Sequence, residues 1–391
     1  MMPSIPLKVM QQEDVHGLGG PMFPDFKFLE MEDRDLVEHL TRPFPPYSDF
    51  NFVSMWSWDT YKLCRLSTLH GNLVVRFTDY ITGDPFYSFI GRNKVNDTVL
   101  TLFEYMEDQG LPPRLKLMPE MVAHSVSLRD LSFELDDSNY DYVLPVERLK
   151  ELAGSEFSNK RWRVSQFTRR FDPTFVPLNL RSQSVQARIL DVFDRWARFR
   201  GIENPREENE YQALCRLLMA SENFRNLVSF GTFVQDRMVG FVIAEDLRNG
   251  YAIGHFTKAD IALHSGIYTY MVQQIAGALR ERGCVQINTE QDLGHKGLRE
   301  NKSSYGPLNH LRKYVISPSR VSTERETLEP PRAALVLGSI APGGPLSLQP
   351  PRLNVDRWLE SIQPPPPDES ASAPAETSRT SSRPPGHEQD P

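Results

Sequence analysis

The sequence predicts an α/β protein, of the α+β kind, built from two units in tandem with mixed, largely antiparallel sheets. Three observations carry that expectation. The second half reads strand, two helices, a three-stranded meander, helix, strand, helix, strand, and the first half repeats the meander, helix and strand portion. Composition then separates residues 321–391, which hold 14 of the 31 prolines, six arginines, ten acids and no lysine. Of the formal net charge of −7 over 391 residues, this proline-rich tail carries −4 and the body −3.

Residues 1–25, punctuated by Gly and Pro (HGLGGPMFPDF), read as an ill-ordered lead-in to a first unit over 26–154. Glycines 17, 19 and 20 have no strand before them and no helix after them, so they do not read as a phosphate loop. A helix from Glu32 to Leu40 is ended by Pro43, Pro45 and Pro46. Strands follow at Tyr61–Ser67 and Asn72–Tyr80, joined at His70-Gly71, and at Phe86–Ile90. Val95–Gln109 reads as a helix stopped by Gly110, Leu115–Met118 and Tyr142–Leu144 as strands, and Val146–Leu152 as a helical stretch.

The second unit, 155–320, opens on SEFSNKRWRVSQFTRRF (155–171), a basic segment. Phe175–Leu180 is a strand candidate, Gln183–Phe199 a helix closed by Gly201, and Glu207–Asn223 a second helix. Val228–Val234, Val239–Leu247 and Tyr251–Lys258 alternate or are β-branched, and Gln235-Asp236-Arg237 and Arg248-Asn249-Gly250 supply hairpin turns between them. Ile267–Arg280 (helix), Val285–Asn288 (strand), Lys296–Asn301 (helix) and Lys313–Ile316 (strand) complete the order. That order is the layout of the Gcn5-related N-acetyltransferase fold, so two tandem acetyltransferase-like units are expected. In the tail, Val355, Trp358, Leu359 and Ile362 fall at i, i+3, i+4 and i+7 within 353–362. Such a stripe reads as a short helix that docks on the body or on a protein partner, or as a transient helix with none.

Several functions are excluded early. No apolar run reaches the ~20 residues that a spanning helix needs, and the polar, acidic start lacks a signal-peptide core. Cys64, Cys215 and Cys284 are isolated, so neither a disulfide framework nor a zinc site is expected, and a reducing cytoplasm is the expected location. The near-neutral body argues against wholesale coating of nucleic acid while leaving room for a local basic patch.

Four groups of residues carry candidate chemistry. In 155–171, five basic residues against one acid give a net +4. Lys160 and Arg161 are its candidate binding residues, because Arg161 falls on the apolar stripe of Phe157, Val164, Phe167 and Phe171 and there needs an anion or carbonyl partner. The bland reading is a solvated basic face. The junction GHFTKADIALHSGIY (254–268) is where the acetyltransferase fold grips a cofactor pyrophosphate, yet it lacks the glycine-rich loop that would do so. His255 in that junction is a candidate general base by its ordinary titration range, or a structural histidine. Finally, Asn288, Glu290 and Asp292 alternate at a strand end and would share one face if extended, an acidic ledge suited to an ammonium. Lys296, Arg299 and Lys302 follow as a basic stripe. An internal salt-bridge cluster is the alternative reading of ledge and stripe. No Ser/His/Asp order, metal-ligating His pair or Walker loop is present, and no metal or resident cofactor is expected.

The stretches SDFNF (48–52), YDYVLPVERLKELAG (140–154), NKRWRVSQF (159–167), GF (240–241), HFTKAD (255–260), GIY (266–268), NTEQDLGHKGLRENKSSYGP (288–307) and Lys313 resemble the C-terminal domain family of phosphatidylglycerol lysyltransferases. The resemblance covers roughly residues 25–316 and is most specific from Asn288 to Pro307. It implies two tandem acetyltransferase-like units that take an aminoacyl group from aminoacyl-tRNA, without acyl-coenzyme A. The matching motif positions are Lys160, Arg161, His255, Lys258, Asn288, Glu290, Asp292, Arg299, Lys302 and Tyr305. Two departures stand beside it: the lysyltransferases' N-terminal membrane domain has no counterpart here, and Thr257 stands where the family often has a glutamate.

The resulting expectation is an aminoacyltransferase-like protein that moves an aminoacyl group from an aminoacyl-tRNA donor to a lipid or small-molecule acceptor. His255, Glu290 and Asp292 would be its catalytic and ammonium-holding groups. Lys160, Arg161, Lys258, Asn288, Arg299, Lys302 and Tyr305 would bind substrate. The rival expectations are an N-acyltransferase with an unconventionally bound acyl-coenzyme A and a non-catalytic binding module that recruits a partner through its tail.

Overall fold

A computed structural model describes residues 20–79, 82–262 and 266–319. The tail, with its candidate helix at 353–362, lies outside the described residues. The strands are β1 (Lys27–Phe28), β2 (Arg65–Leu69), β3 (Asn72–Thr78), β4 (Pro85–Ile90), β5 (Leu115–Pro119), β6 (Leu131–Leu135), β7 (Asp141–Pro145) and β8 (Thr174–Pro177). They continue as β9 (Leu227–Val234), β10 (Arg237–Asp246), β11 (Tyr251–Ala259), β12 (Gln286–Asn288), β13 (Asn309–Leu311) and β14 (Lys313–Pro318). They form two seven-stranded sheets, ordered β1-β2-β3-β4-β5-β14-β6 and β13-β7-β12-β11-β10-β9-β8. Each sheet has one parallel junction, β4 with β5 and β11 with β12, and is antiparallel elsewhere. The architecture is therefore the expected mixed α/β one, with two mixed, largely antiparallel sheets.

The sheets exchange strands. β14, from the far end of the described chain, inserts between β5 and β6 of the first sheet, and β7 pairs with β12 and β13 of the second. The expected boundary between residues 154 and 155 therefore does not coincide with the division between sheets, because β7 precedes it. Propensity decides where a strand forms, whereas its sheet is decided by long-range pairing, which local patterning does not encode.

Most helices follow their apolar spacing. Gln183–Phe199 buries Ile189, Leu190, Val192, Phe193 and Ala197 at helical intervals, and Ile267–Glu281 buries Ile267, Met271, Ile275 and Leu279. Phe52–Trp58 was not legible as a helix: seven residues with three aromatics lack a 3.6-residue polar face. Its start is nonetheless built locally, since Asn51 Oδ1 accepts from the Ser54 amide at 2.9 Å. β6 and β13 were also missed, being short edge strands.

One core cluster spans both sheets, joining Leu66, Leu73, Val75 and Ile90 to Ile189, Leu214, Phe241, Ile243 and Phe256. At the other end of the chain, residues 20–25, counted at sequence level with the lead-in, pack against the first unit. Phe23 donates its amide to Thr68 O at 3.0 Å, and its ring meets Tyr105 at 4.9 Å.

Candidate functional site

The second sheet opens beside its parallel junction. β11 and β12 pair only through Tyr251↔Gln286, Ala252↔Ile287 and Ile253↔Asn288. Beyond that point β11 runs on to Ala259 while the other chain turns away. The register of β10 against β11 also shifts there, Ala244 facing Gly254 and Ile243 facing Phe256, so His255 is an inserted, unpaired residue. A β-bulge re-aims the side chain it inserts. Here it brings His255 to the helix Phe52–Trp58 of the first unit.

His255 is buried between two carboxylates, its Nε2 at 3.5 Å from Glu245 and its Nδ1 at 3.7 Å from Glu290. Ser54 Oγ lies 3.4 Å from the same Nδ1 and donates to Glu290 Oε1 at 3.2 Å. Asn51 Nδ2 donates to Glu245 at 2.7 Å. Burial alone would push the imidazole down, but the Glu245 and Glu290 carboxylates on either side outweigh it and raise His255 to about 9. The two carboxylates thus favour the imidazolium form over the free base expected from the ordinary range.

Glu290 has a left-handed backbone, φ +61°, which a non-glycine residue adopts only when its surroundings impose it. Its amide donates to Asn288 Oδ1 at 2.7 Å, and its carbonyl accepts from Lys302 Nζ at 3.0 Å. Asn288, fully buried, is held in turn by Pro46 O at 2.7 Å and Asp141 Oδ2 at 3.0 Å. The Glu290 side chain is 15% exposed, and no partner is recorded for Oε2 among the described residues. The site therefore combines two carboxylates with one imidazolium between them, and the Glu290 side chain keeps a partly exposed carboxylate edge that suits an ammonium.

The remaining expected residues divide among other tasks. The acidic ledge is not a ledge: the left-handed backbone at Glu290 breaks the extension, and Asp292 finds other partners. It accepts from Tyr142 Oη at 2.6 Å, Gly294 N at 2.8 Å and Arg299 Nε at 2.8 Å. Burial would raise the Asp292 carboxyl, but Arg299, Tyr142 and the Gly294 amide hold it below its usual range. Asp292 and Arg299 are thus the internal salt-bridge cluster, with Arg299 reaching Asp137 as well. Lys302 donates to three successive carbonyls, Thr289 at 2.5 Å, Glu290 at 3.0 Å and Gln291 at 2.6 Å. All three of its donors serve the turn that carries Glu290, and burial draws its ammonium down to about 8.

Lys258, three residues beyond the bulge, faces away from His255. Its Nζ pairs with Glu210 at 2.7 Å and sits 3.8 Å from the Trp196 ring centroid, so it fastens β11 to two helices. Lys160 donates to Ser304 Oγ at 2.7 Å over the buried Tyr305 ring, joining the helices Ser158–Phe171 and Lys296–Ser303. Arg161 finds its carbonyl partners in Leu152 and Gly154. Asp260, just beyond the end of β11, is held by Arg195 at 3.0 Å and Arg237 at 3.3 Å.

The structure brings Asn288, Glu290 and His255, all singled out in the sequence, to one place, and sets beside them Asn51, Ser54 and Glu245, which were not. Glu245 had a signal, an acid ending the apolar run FVIA in a strand; Asn51 lay within a quoted motif; Ser54 had none. Among the described residues, no group of His, Cys, Asp and Glu is arranged to hold a metal, and no helix is long and apolar enough to cross a membrane.

Comparison with known proteins places this geometry in a setting. A family model described as phosphatidylglycerol lysyltransferase, C-terminal, matches residues 41–317. A conserved protein of unknown function from Bacteroides thetaiotaomicron superposes with TM-score 0.67 at 23% identity, covering 76% of this chain and 100% of that one. The C-terminal domain (DUF2156) of a provisionally assigned lysylphosphatidylglycerol synthetase from Agrobacterium fabrum gives TM-score 0.53 at 12% identity, covering 73% and 91%. L-PGS from Bacillus licheniformis gives 0.51 at 12%, covering 69% and 88%. A search of curated proteins returned no match.

Proposed function

The chain belongs to the phosphatidylglycerol lysyltransferase C-terminal family, and from that premise we propose that it moves an aminoacyl group from aminoacyl-tRNA to a lipid or small-molecule acceptor. The family and the acyltransferase-like fold support a transferase; the donor and acceptor are our own reading. The observation that carries it is Glu290, a carboxylate fixed at both backbone ends with one oxygen open beside an imidazolium.

In this reading Glu290 Oε2 receives the α-ammonium of the aminoacyl group, and Glu245 lies behind His255 as the second negative charge. Asp292, already bound to Arg299, takes no part in holding it. The acceptor hydroxyl or amine attacks the ester carbonyl, the bond to the tRNA ribose oxygen breaks, and that oxygen leaves with the acceptor's proton. An aminoacyl ester is already activated, so the protein's share is orientation and a fixed electrostatic environment rather than a covalent intermediate. With Arg299 and Lys302 committed internally, the cations open to donor phosphates are the exposed Arg163, Arg169, Arg170 and Lys296 on the two helices that Lys160 joins.

The Asp260 carboxylate, at the turn where the acetyltransferase fold grips pyrophosphate, disfavours acyl-coenzyme A. Full-length protein incubated with individually charged, labelled tRNAs and extracts of lipid and small molecules tests the proposal. Label should move to an acceptor only in the presence of charged tRNA. Absence of transfer with every amino acid, or thermal stabilisation by acetyl-coenzyme A instead, would refute it.

A further inference from the structure

Three charges lie behind Glu290 with no part in the proposed transfer, two of them fully buried and the third, Asp49, 12% exposed. Lys313, the first residue of β14, is fully buried and contacts Asp49 and Asp141, the latter at 2.9 Å. Asp141 starts β7 and is itself fully buried. Its Oδ1 also accepts from Ser48 Oγ at 2.7 Å, and its Oδ2 accepts from the Ser48 amide at 2.8 Å and from Asn288 Nδ2 at 3.0 Å. Asp49 Oδ1 accepts from Gln291 Nε2 at 2.9 Å, and the same amide reaches Ser48 Oγ at 3.0 Å. One cation from the first sheet therefore faces two carboxylates, and each carboxylate grips a residue flanking Glu290, Asn288 before it and Gln291 after it.

We infer that Lys313 is a positioning residue for Glu290, neutralising from the neighbouring sheet the two carboxylates that fix the turn on which Glu290 stands. The inference rests on the proposed transfer for its consequence but on the hydrogen-bond path alone for its geometry. Two buried carboxylates without their cation repel each other and need new partners. Asp141 and Asp49 would then turn from Asn288 and Gln291 toward any available donor. The left-handed turn, which costs about 1–3 kcal/mol and persists only where its surroundings over-determine it, would relax. Glu290 would leave His255.

The departure has a direct signature that does not require turnover. In full-length protein carrying labelled histidine, the His255 imidazole is followed by NMR across a pH titration in the parent, in Lys313→Met, in Lys313→Arg and in the double variant Lys313→Met/Asp141→Asn. The double variant removes one charge of each sign and so avoids an added buried carboxylate. We expect the His255 midpoint to fall by about one unit or more in Lys313→Met, with partial recovery in Lys313→Arg. Transfer should fall by roughly 10- to 100-fold, mainly through KM for the charged tRNA. An unchanged His255 titration in a folded Lys313→Met protein overturns the inference. So does failure of both Met variants to fold, which would assign Lys313 to stability alone. If the parent transfers nothing, the proposed function fails while the His255 titration still judges the positioning role.

Discussion

The two sheets end their parallel pairing in the same way and place different side chains there. In the first, the last parallel pair is Tyr87↔Leu115, and two residues on, Leu117 is left-handed with φ +54°. In the second, the last pair is Ile253↔Asn288, and two residues on, Glu290 is left-handed with φ +61°. Around Leu117 the neighbours are apolar or self-satisfied: Phe89 and Met118 are fully buried, and Ser88 Oγ donates to the Leu117 carbonyl at 3.3 Å. Around Glu290 stand Ser54, His255 and Asn288. The left-handed residue therefore recurs in both units, inside strand β5 in the first and beyond the end of β12 in the second, and the chemistry belongs to what the second unit mounts there. The first unit serves the site by lending the segment from Pro46 to Ser54.

The sharpest way to break this contrast is to make the two left-handed positions alike. Glu290→Leu, which copies the first unit, removes the open carboxylate and should abolish transfer. The milder Glu290→Gln should lower kcat/KM by about 10- to 150-fold, the ~1.5–3 kcal/mol of a hydrogen bond to a charged group. The reciprocal Leu117→Glu should add no activity; a gain there in the tRNA-dependent assay would show that a left-handed carboxylate alone suffices. Next in size, Lys302→Met strips three carbonyls of their donor and should cost roughly 2–4 kcal/mol in urea unfolding, whereas Lys116→Met in the first unit, a half-exposed pair with Asp79 at 3.5 Å, should cost well under 1 kcal/mol.

The electrostatics give a third test. His255, raised to about 9 from an ordinary 6.5, contributes stability that is complete below 6.5 and is lost as pH climbs through about 9. Unfolding free energy should therefore decline from pH 6.5 upward. His255→Gln should flatten that decline. Lys302, drawn down to about 8, acts in the opposite sense only above that value, so pH 6.5–8 is the clean window. A smaller effect is expected of Asn51→Ala, which removes the cap of the helix Phe52–Trp58 and the partner of Glu245 and should lower stability by about 1 kcal/mol. Smallest of all, Arg163→Ala should leave stability unchanged and reduce the salt slope of tRNA binding by less than about one unit.

Much of the fold was legible because its long elements are strongly patterned. The meander β9–β11 and the helix Gln183–Phe199 announce themselves through β-branched runs and apolar spacing. The site was legible at Asn288 and Glu290 because chemistry clusters in one short stretch. It was illegible where a backbone irregularity decides direction. The period-2 rule put Asp292 beside Glu290, and the left-handed backbone at Glu290 overruled it. His255 looked like a base because its two carboxylates are ten residues upstream and 35 downstream in sequence, at Glu245 and Glu290. Lys302 and Arg299 read as a basic stripe because their helix, with no buried residue, has the composition of a solvated one. Their partners lie in the turn just before it.

The strand exchange reaches past the finished molecule to its birth. A chain leaving the ribosome presents β1 to β5 early, but the neighbour of β5 in the completed sheet is β14, almost 200 residues later. Until that strand emerges, β5 has an unpaired edge, and the Asp141 carboxylate lacks the lysine that β14 brings. Such an exposed edge is a site for wrong pairing, and closing so long a loop is slow. The two units cannot mature one after the other from the N-terminus; the protein becomes whole only when its last described strand threads into its first sheet.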